Sequence, residues 1–314
     1  MTFYEETRAT DLTLSEVIDC LNIFFPDIEE KDISFFYHGT YNVFEVKNQF
    51  IFRIPDKAFR NQKGVELIQN EVKMLNHIQK YVSVSVPDPI YISIDPEYPV
   101  MGYEKIDGVP LSRKFNKISK SKRMEIAEEI GHFLTELHSK ELYQNAILKQ
   151  IVDVDYSCEK YKLEWKNYFK NVQKLLFPIM NSTQKNWIIN LFDSFLNNDA
   201  NFKFKQCIIH GDFDISNIVV DTETYKITAI VDFEESRVYD PAVDFIFYEG
   251  GNEFLRKTLT SYEGLIDPNF EERMKFLYGR SCLGYIEFGL KNNLADMIDV
   301  GFKLLETRME KIQI

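Results

Sequence analysis

Apolar residues follow a helical spacing in some segments of the chain and a strand-like pattern in others. Residues 13–24 carry apolar side chains at the i, i+3, i+4 and i+7 positions of one helix face, and Thr13 with Glu16 matches a capping box. Further helices are predicted at 65–78, 122–138, 160–180, 183–198 and through most of 250–312. Strands are predicted in 35–46 (two strands), 50–54, 82–94 (strand, turn, strand), 98–106 and 206–233.

Strand patterns dominate the first hundred residues, and helical patterns dominate the remainder apart from the β stretch at 206–233. A β-rich region followed by a helical one predicts an α+β fold with two lobes. The expected N-terminal lobe is residues 1–104 and the expected C-terminal lobe is residues 105–314, with Gly108 in the connector.

Composition narrows the function classes. The chain has 314 residues and a net charge of −12, which disfavours a nucleic-acid partner and would attract a cationic one. The four cysteines are far apart and form no metal-ligand pair, so buried free thiols are expected.

Residues 1–13 lack a secretory signal pattern, and no segment is apolar over the roughly 20 residues that a membrane helix needs. A cytoplasmic, monomeric protein without a membrane partner is therefore expected.

The segment 206–233 carries the most informative motif. Asp212 and Asn217 lie in one polar loop between two apolar strands, and Asp232 follows 20 residues after Asp212 at the end of the next strand. A hairpin brings Asn217 and Asp232 close together. Phosphoryl transfer to an alcohol needs a metal ion at the phosphates and a carboxylate near the attacking hydroxyl. The motif predicts Mg²⁺ held by Asn217 and Asp232, with Asp212 as the catalytic carboxylate. The alternative is a hairpin whose polar loop residues have no catalytic role.

His210-Gly211-Asp212 with Asn217, followed by Ile230-Val231-Asp232-Phe233, resembles the aminoglycoside phosphotransferase and choline kinase superfamily. The resemblance covers roughly residues 35–290 and is closest to the aminoglycoside 2''-phosphotransferases. It implies a bilobal, protein-kinase-like fold in which residues 1–104 bind nucleotide and residues 105–314 hold the catalytic loop and the substrate site. It also implies ATP or GTP as co-substrate. The nucleotide-binding residues it implies are the phosphate cation Arg53, its partner Glu71, Gly39 and Asn42 of a glycine-rich loop, and Glu104 and Ile106 of a hinge that holds the purine.

The chain departs from that family pattern at three places. Arg53 stands where lysine is usual, as it also tends to in macrolide kinases, and Arg offers bidentate phosphate contacts. Only Gly39 remains of the glycine-rich loop, so a plain hairpin turn is an equal alternative there. Glu234 follows Phe233 where glycine is common, as it does in the choline kinase branch.

Acidic residues are the candidates for binding a cationic substrate. They are Asp214, Glu234, Glu235, Glu249, Glu253 and Glu287. The resemblance aligns Glu249, Glu253 and Glu287 with positions that contact drug ammonium groups. For each residue taken singly, a solvated surface charge is the alternative.

The sequence as a whole predicts a nucleotide-dependent kinase that phosphorylates a hydroxyl of an aminoglycoside and confers resistance. A second hypothesis keeps the chemistry but changes the acceptor to a macrolide, choline or another small metabolite. A third is a nucleotide-binding pseudokinase that acts as an interaction module.

Overall fold

The computed structural model describes residues 9–152, 157–245 and 250–312. Its strands are β1 Ile33–His38, β2 Tyr41–Val46, β3 Phe50–Pro55, β4 Tyr91–Ile94, β5 Pro99–Glu104, β6 Val109–Pro110, β7 Cys207–Ile209, β8 Ile218–Val220, β9 Ile227–Ile230 and β10 Arg237–Tyr239. Its α-helices are α1 Leu14–Asn22, α2 Gln62–Ile78, α3 Leu111–Lys114, α4 Lys120–Leu137, α5 Lys140–Leu148, α6 Cys158–Leu175, α7 Ser182–Leu196, α8 Asn252–Ser261, α9 Phe270–Asn292 and α10 Ala295–Lys311. The order confirms the predicted α+β class.

The chain divides into two compact units. Unit 1 comprises Met1–Ile126 with Ile215–Ser236, and unit 2 comprises Ala127–Asp214 with Arg237–Ile314. Residues 105–126 and the hairpin at 215–236 group with unit 1 because β6 pairs with β8. The functional boundary at residue 104 stays a prediction.

The main sheet of unit 1 is antiparallel, with strand order β1-β2-β3-β5-β4. The sequence analysis was wrong about one strand, because only Tyr91–Ile94 forms a strand within 82–94. Pro87 and Pro89 cannot donate backbone hydrogen bonds to a ladder. Ser85 instead makes a single parallel bridge with Ala229.

Helix α1 begins where the sequence predicted it. The Glu16 N–H donates to Thr13 Oγ1 (3.3 Å), and the Thr13 N–H donates to Glu16 Oε2 (2.7 Å), which completes the capping box. The amphipathic pattern then directs Val17 and Leu21 into the core. The predicted start of this helix is thereby confirmed.

The core of unit 1 is centred on Phe52, which is fully buried in β3. The rings of Phe24, Phe25 and Tyr91 surround it, with centroid distances of 5.9, 5.8 and 5.4 Å. Because side chains alternate across a strand, burying Phe52 against this cluster sends Arg53 to the opposite face of the sheet.

A second, three-stranded sheet of unit 1 contains β6, β8 and β9. Gly108 precedes β6 with φ 135°, and a Cβ atom at this position would lie 2.6 Å from the Val220 carbonyl oxygen. The close approach to β8 therefore requires glycine.

Unit 2 is mainly helical, with β7 and β10 as an antiparallel pair. The pairing of β7 with β10 was not predicted, because β10 lies outside the β stretch recognised in the sequence. Aromatic rings fill the core, and Phe195 stacks on Phe276 at 3.7 Å. The fully buried Arg273 is neutralised by Asp240 (2.8 Å) and Asp267 (2.7 Å).

Cys20, Cys207 and Cys282 are buried and Cys158 is half-buried, all as free thiols. Within the described ranges, no helix combines the length and the apolar composition that crossing a membrane requires.

We predict that Phe52→Ala lowers the free energy of unfolding of unit 1 by about 3–5 kcal/mol, because it removes the ring around which the aromatic cluster packs. Chemical denaturation measures the change. Ile94→Ala is the control, since Ile94 is exposed on β4 and its truncation should cost less than about 0.5 kcal/mol. Equal losses in the two variants would contradict this account of the core.

Candidate active site

Arg53 on β3 is a buried cation held by three carboxylates. Its Nη1 donates to Glu71 Oε1 (2.8 Å), and its Nη2 donates to Asp232 Oδ1 (2.7 Å) and Glu234 Oε2 (2.9 Å). The side chain is only 3% exposed. A guanidinium can make these contacts together because its terminal nitrogens point in fixed, separate directions.

Helix α2 and strand β2 supply the residues that hold the Arg53 side chain in position. Helix α2 presents Glu71 as a buried residue towards the sheet, and β2 places the Tyr41 ring 4.4 Å from Arg53 Cζ. The ring face attracts the guanidinium and holds it in one plane. The expected pairing of Arg53 with Glu71 is present, whereas the sequence analysis did not identify the role of Tyr41.

The cluster carries more negative than positive charge. One guanidinium faces Glu71, Asp232 and Glu234. Burial raises the pKa of the Glu71 carboxyl, and burial together with the neighbouring Asp232 raises the pKa of Glu234 to about 8. A further cation would relieve this imbalance.

The β8–β9 hairpin brings Asn217 and Asp232 side by side. The Val231 N–H donates to the Asn217 carbonyl oxygen (2.9 Å), so the two side chains leave adjacent ends of the hairpin. Asp232 has φ 71°, a left-handed conformation that is uncommon for residues other than glycine. Such strain is often found at functional sites.

Asn217 and Asp232 carry oxygen donors of the kind that Mg²⁺ takes. Both line one cavity in unit 1, both carry the oxygen ligands that Mg²⁺ takes, and the local carboxylate excess calls for a cation. Asp232 Oδ1 is bonded to Arg53. The donor set thus fits the ion that the sequence motif implies.

This cavity has a volume of about 270 Å³. Its walls combine apolar side chains with a few polar groups, as ligand pockets usually do. The lining residues are Phe36, Tyr37, Val43, Glu45, Ile51, Arg53, Tyr103, Lys105, Ile106, Gly108, Val109, Pro110, Ser112, Arg113, Ser216, Asn217, Val219, Val231 and Asp232. Arg53, Ile106, Asn217 and Asp232, all predicted from the sequence, are therefore gathered around one space.

Other predicted nucleotide-binding residues lie elsewhere. Glu71 is bonded to Arg53 and is not among the residues that line the cavity. Glu104 is exposed at the end of β5, and Gly39 lies in the turn between β1 and β2. Asn42 requires a correction. Its buried side chain faces away from the cavity and is bonded to Thr10 and Asp11, because its neighbour Val43 takes the cavity-facing position of β2.

Unit 2 holds Asp212 in a loop that Asp244 fixes. The His210 and Gly211 N–H groups donate to the two Asp244 carboxylate oxygens (2.7 and 2.9 Å), and His138 Nε2 lies 3.0 Å from Oδ2. Gly211 has φ 94°, which favours glycine immediately before Asp212. Asp212 itself is exposed.

The contacts of Asp244 with the loop before Asp212 were missed by the sequence analysis. Burial alone would raise the pKa of its carboxyl, but hydrogen bonds and positive charge from His138, with the Gly211 N–H, outweigh burial and hold the pKa below its ordinary value. A charged residue inside the apolar run Ala242-Val243-Asp244-Phe245 was the available signal, because an unpaired buried charge is costly.

The predicted substrate-binding acids are not one group in the structure. Glu234 is a partner of Arg53, which corrects its assignment to the substrate. Glu287 pairs with Lys291 (2.6 Å), Glu253 is exposed in the first turn of α8, and Glu235 is exposed. Asp214 is half-buried beside the catalytic loop. Glu249 lies outside the described residues.

Comparison with known proteins identifies the family and the fold of this chain. A family model described as a phosphotransferase enzyme family matches residues 32–254. An aminoglycoside phosphotransferase solved with GDP and kanamycin is 19% identical, with a TM-score of 0.81 over 95% of this chain and 99% of that one. A relative solved with streptomycin and ATP is 20% identical, with a TM-score of 0.65 over 94% of this chain and 97% of that one.

A macrolide 2'-phosphotransferase from Brachybacterium faecium is similar as well, at 16% identity and a TM-score of 0.68, over 93% of this chain and 98% of that chain. At these identities the solved structures establish the fold. They confirm the predicted kinase-like fold, with a β-rich N-terminal region and a helical C-terminal region.

We predict that Asp244→Asn destabilises the protein near neutral pH and that the difference from the wild type shrinks in acid. The depressed pKa of Asp244 means that its stabilising contribution is complete above the ordinary value of 3.8 and is lost as the pH falls through the lower pKa of the folded state. Denaturation midpoints at several pH values measure this. A destabilisation that does not change with pH would contradict the electrostatic role.

Proposed function

We propose, from the premise that this chain belongs to the phosphotransferase enzyme family, that it transfers the γ-phosphoryl group of ATP or GTP to a hydroxyl of an aminoglycoside. The observation that carries the proposal is the buried Arg53–Glu71 pair beside Asp232 in a cavity that Asn217 also lines. A structural hairpin alone has no need for a buried cation with so many acidic neighbours.

The chain's own groups have distinct roles in this proposal. Arg53 supplies fixed positive charge to the phosphates, and Glu71 and Tyr41 hold it in position. Asn217 and Asp232 would hold Mg²⁺, which when bound neutralises charge on the phosphate oxygens. Asp212 orients the acceptor hydroxyl and accepts its proton. Positioning and charge neutralisation supply most of the acceleration, so no phosphoenzyme is expected.

Three arguments support the aminoglycoside acceptor. The net charge of −12 favours a polycation, relatives were solved with kanamycin and with streptomycin, and Asp214, Glu235 and Glu253 supply carboxylates. Ammonium groups of the drug would bind such carboxylates and distinguish it from neutral sugars.

Two observations favour a macrolide as the second candidate. Arg53 replaces the usual lysine, as in macrolide kinases, and Glu234 and Glu287 are already paired with Arg53 and Lys291. Fewer carboxylates then remain for a polycation, and a macrolide needs fewer. The similar macrolide phosphotransferase is consistent with this alternative.

A panel of acceptors decides between the candidates. Purified protein with Mg²⁺ and ATP or GTP should phosphorylate kanamycin or gentamicin, and chelation of Mg²⁺ should abolish the reaction. If only a macrolide or choline gave product, the aminoglycoside acceptor would be refuted, and phosphoryl transfer to a hydroxyl would remain supported. Nucleotide binding without turnover on any acceptor, and without Mg²⁺-dependent hydrolysis, would instead indicate a pseudokinase.

We predict that Asp212→Asn lowers kcat by at least about 100-fold, because the amide cannot accept the hydroxyl proton. Nucleotide affinity should change less than about threefold, since the cavity groups are intact. Steady-state kinetics and nucleotide titration measure the two effects. Asp199→Asn is the control, because Asp199 is an exposed carboxylate of unit 2 that pairs with Lys162. Near-normal turnover by Asp212→Asn would remove Asp212 from the mechanism.

A further inference from the structure

A short segment before α1, residues 9–11, is fastened across the ends of β1, β2 and β3. We call it the N-terminal strap. Thr10 Oγ1 donates to Asn42 Oδ1 (2.7 Å), and Asn42 Nδ2 donates to Asp11 Oδ1 (2.7 Å). The Lys57 N–H, just beyond β3, donates to Asp11 Oδ2 (2.8 Å). Asp11 therefore bridges β2 and the residues that follow β3.

His38 adds a second attachment at the end of β1. Its Nδ1 lies 2.7 Å from the Ala9 carbonyl oxygen, and its Nε2 lies 3.1 Å from Asp56 Oδ2. The ring therefore contacts the strap on one side and the residue that follows β3 on the other. The Asp56 N–H in turn donates to the Thr40 carbonyl oxygen (2.9 Å), which fixes the β1–β2 turn.

Burial shows that these polar contacts are built into the fold. Asn42 is fully buried and His38 is 1% exposed. Asn42 interrupts the apolar run of β2 formed by Tyr41, Val43 and Phe44. A buried amide is costly unless its hydrogen bonds are made, and the strap makes them.

The residues next to Asn42 contact Arg53 or line the cavity beside it. Tyr41 supports the Arg53 guanidinium, and Val43 pairs with Arg53 in the ladder and lines the cavity. On the other side of the turn, the Thr40 side chain hydrogen-bonds to Glu234. A shift of β2 at Asn42 would therefore move both the ring and the turn that border Arg53.

We propose that Asp11 and Asn42 are positioning residues for the nucleotide: the strap holds the β1–β2 turn and Tyr41 so that Arg53 is preorganised for the phosphates. This inference rests on the proposed function. It also accounts for the single glycine, Gly39, in that turn, because a turn fixed from outside does not need a flexible glycine-rich sequence. Asn42 thus acts on the nucleotide through β2 without contacting the cavity.

The test is direct binding of fluorescent ATP and GTP analogues, with Mg²⁺, to the full-length protein. Asp11→Ala should raise the Kd of both nucleotides on the order of tenfold. It should also raise the nucleotide KM while leaving the acceptor KM unchanged. Asp11→Asn retains one of the two oxygen acceptors and should recover only part of the affinity. The matched control is Asp32→Ala, since Asp32 likewise accepts a backbone N–H (Glu29, 3.1 Å) but lies outside the strap.

The outcomes distinguish a failure of the strap's positioning role from a failure of the proposed function. Equal nucleotide affinity in Asp11→Ala and the wild type would overturn the strap's role, as would a loss equal to that of Asp32→Ala. Failure of the wild type to bind either nucleotide would overturn the proposed function and this inference with it. If Asp11→Ala does not fold, Thr10→Val removes the hydroxyl that donates to Asn42 and accepts the Leu12 N–H (3.1 Å), while Asp11 stays in place. An unchanged nucleotide Kd in that folded variant would then count against the proposal.

Discussion

The burial of one guanidinium among three carboxylates is the constraint on which unit 1 depends. Arg53 reaches its position because β3 must turn Phe52 into the aromatic core, and the alternation of the strand then sends Arg53 to the other face. A cation that is 3% exposed is tolerated only with charged partners, and Glu71, Asp232 and Glu234 provide them. The helix α2, the main sheet and the β8–β9 hairpin are thereby held by one residue.

The loop of unit 2 that contains Asp212 is organised by a similar principle with the opposite charge. Asp244 is a buried anion that receives the N–H groups of His210 and Gly211 and faces His138. Its hydrogen bonds outweigh the cost of burial, which is why the pKa of Asp244 is low rather than high. In both units a buried charge with several hydrogen-bonded partners joins segments that are distant along the chain.

The corrections to the sequence analysis concern side chains whose neighbours are distant along the chain. Asn42 is a residue type expected in a phosphate-binding loop. Its side chain nevertheless bonds to the strap, because the register of β2 turns it away from the cavity. Glu234 has the charge expected for binding a cationic substrate, yet it lies beside Arg53, a residue 181 positions away. Tyr41 and Asp244 escaped notice because an aromatic ring and a lone carboxylate are individually common.

The sequence by itself determined the α+β class, most helices and strands and the closeness of Asn217 to Asp232. These follow from periodicity, from residue chemistry and from spacing within one hairpin, all of which are local properties, whereas the pairing of Arg53 with Glu71 was expected only from the resemblance to a known family. Only the tertiary structure decided which acidic residues neutralise Arg53, which face of β2 Asn42 occupies and what holds the loop before Asp212. Those outcomes depend on contacts between segments 31 to 181 residues apart, and the energy of such contacts is set by packing and burial rather than by local sequence.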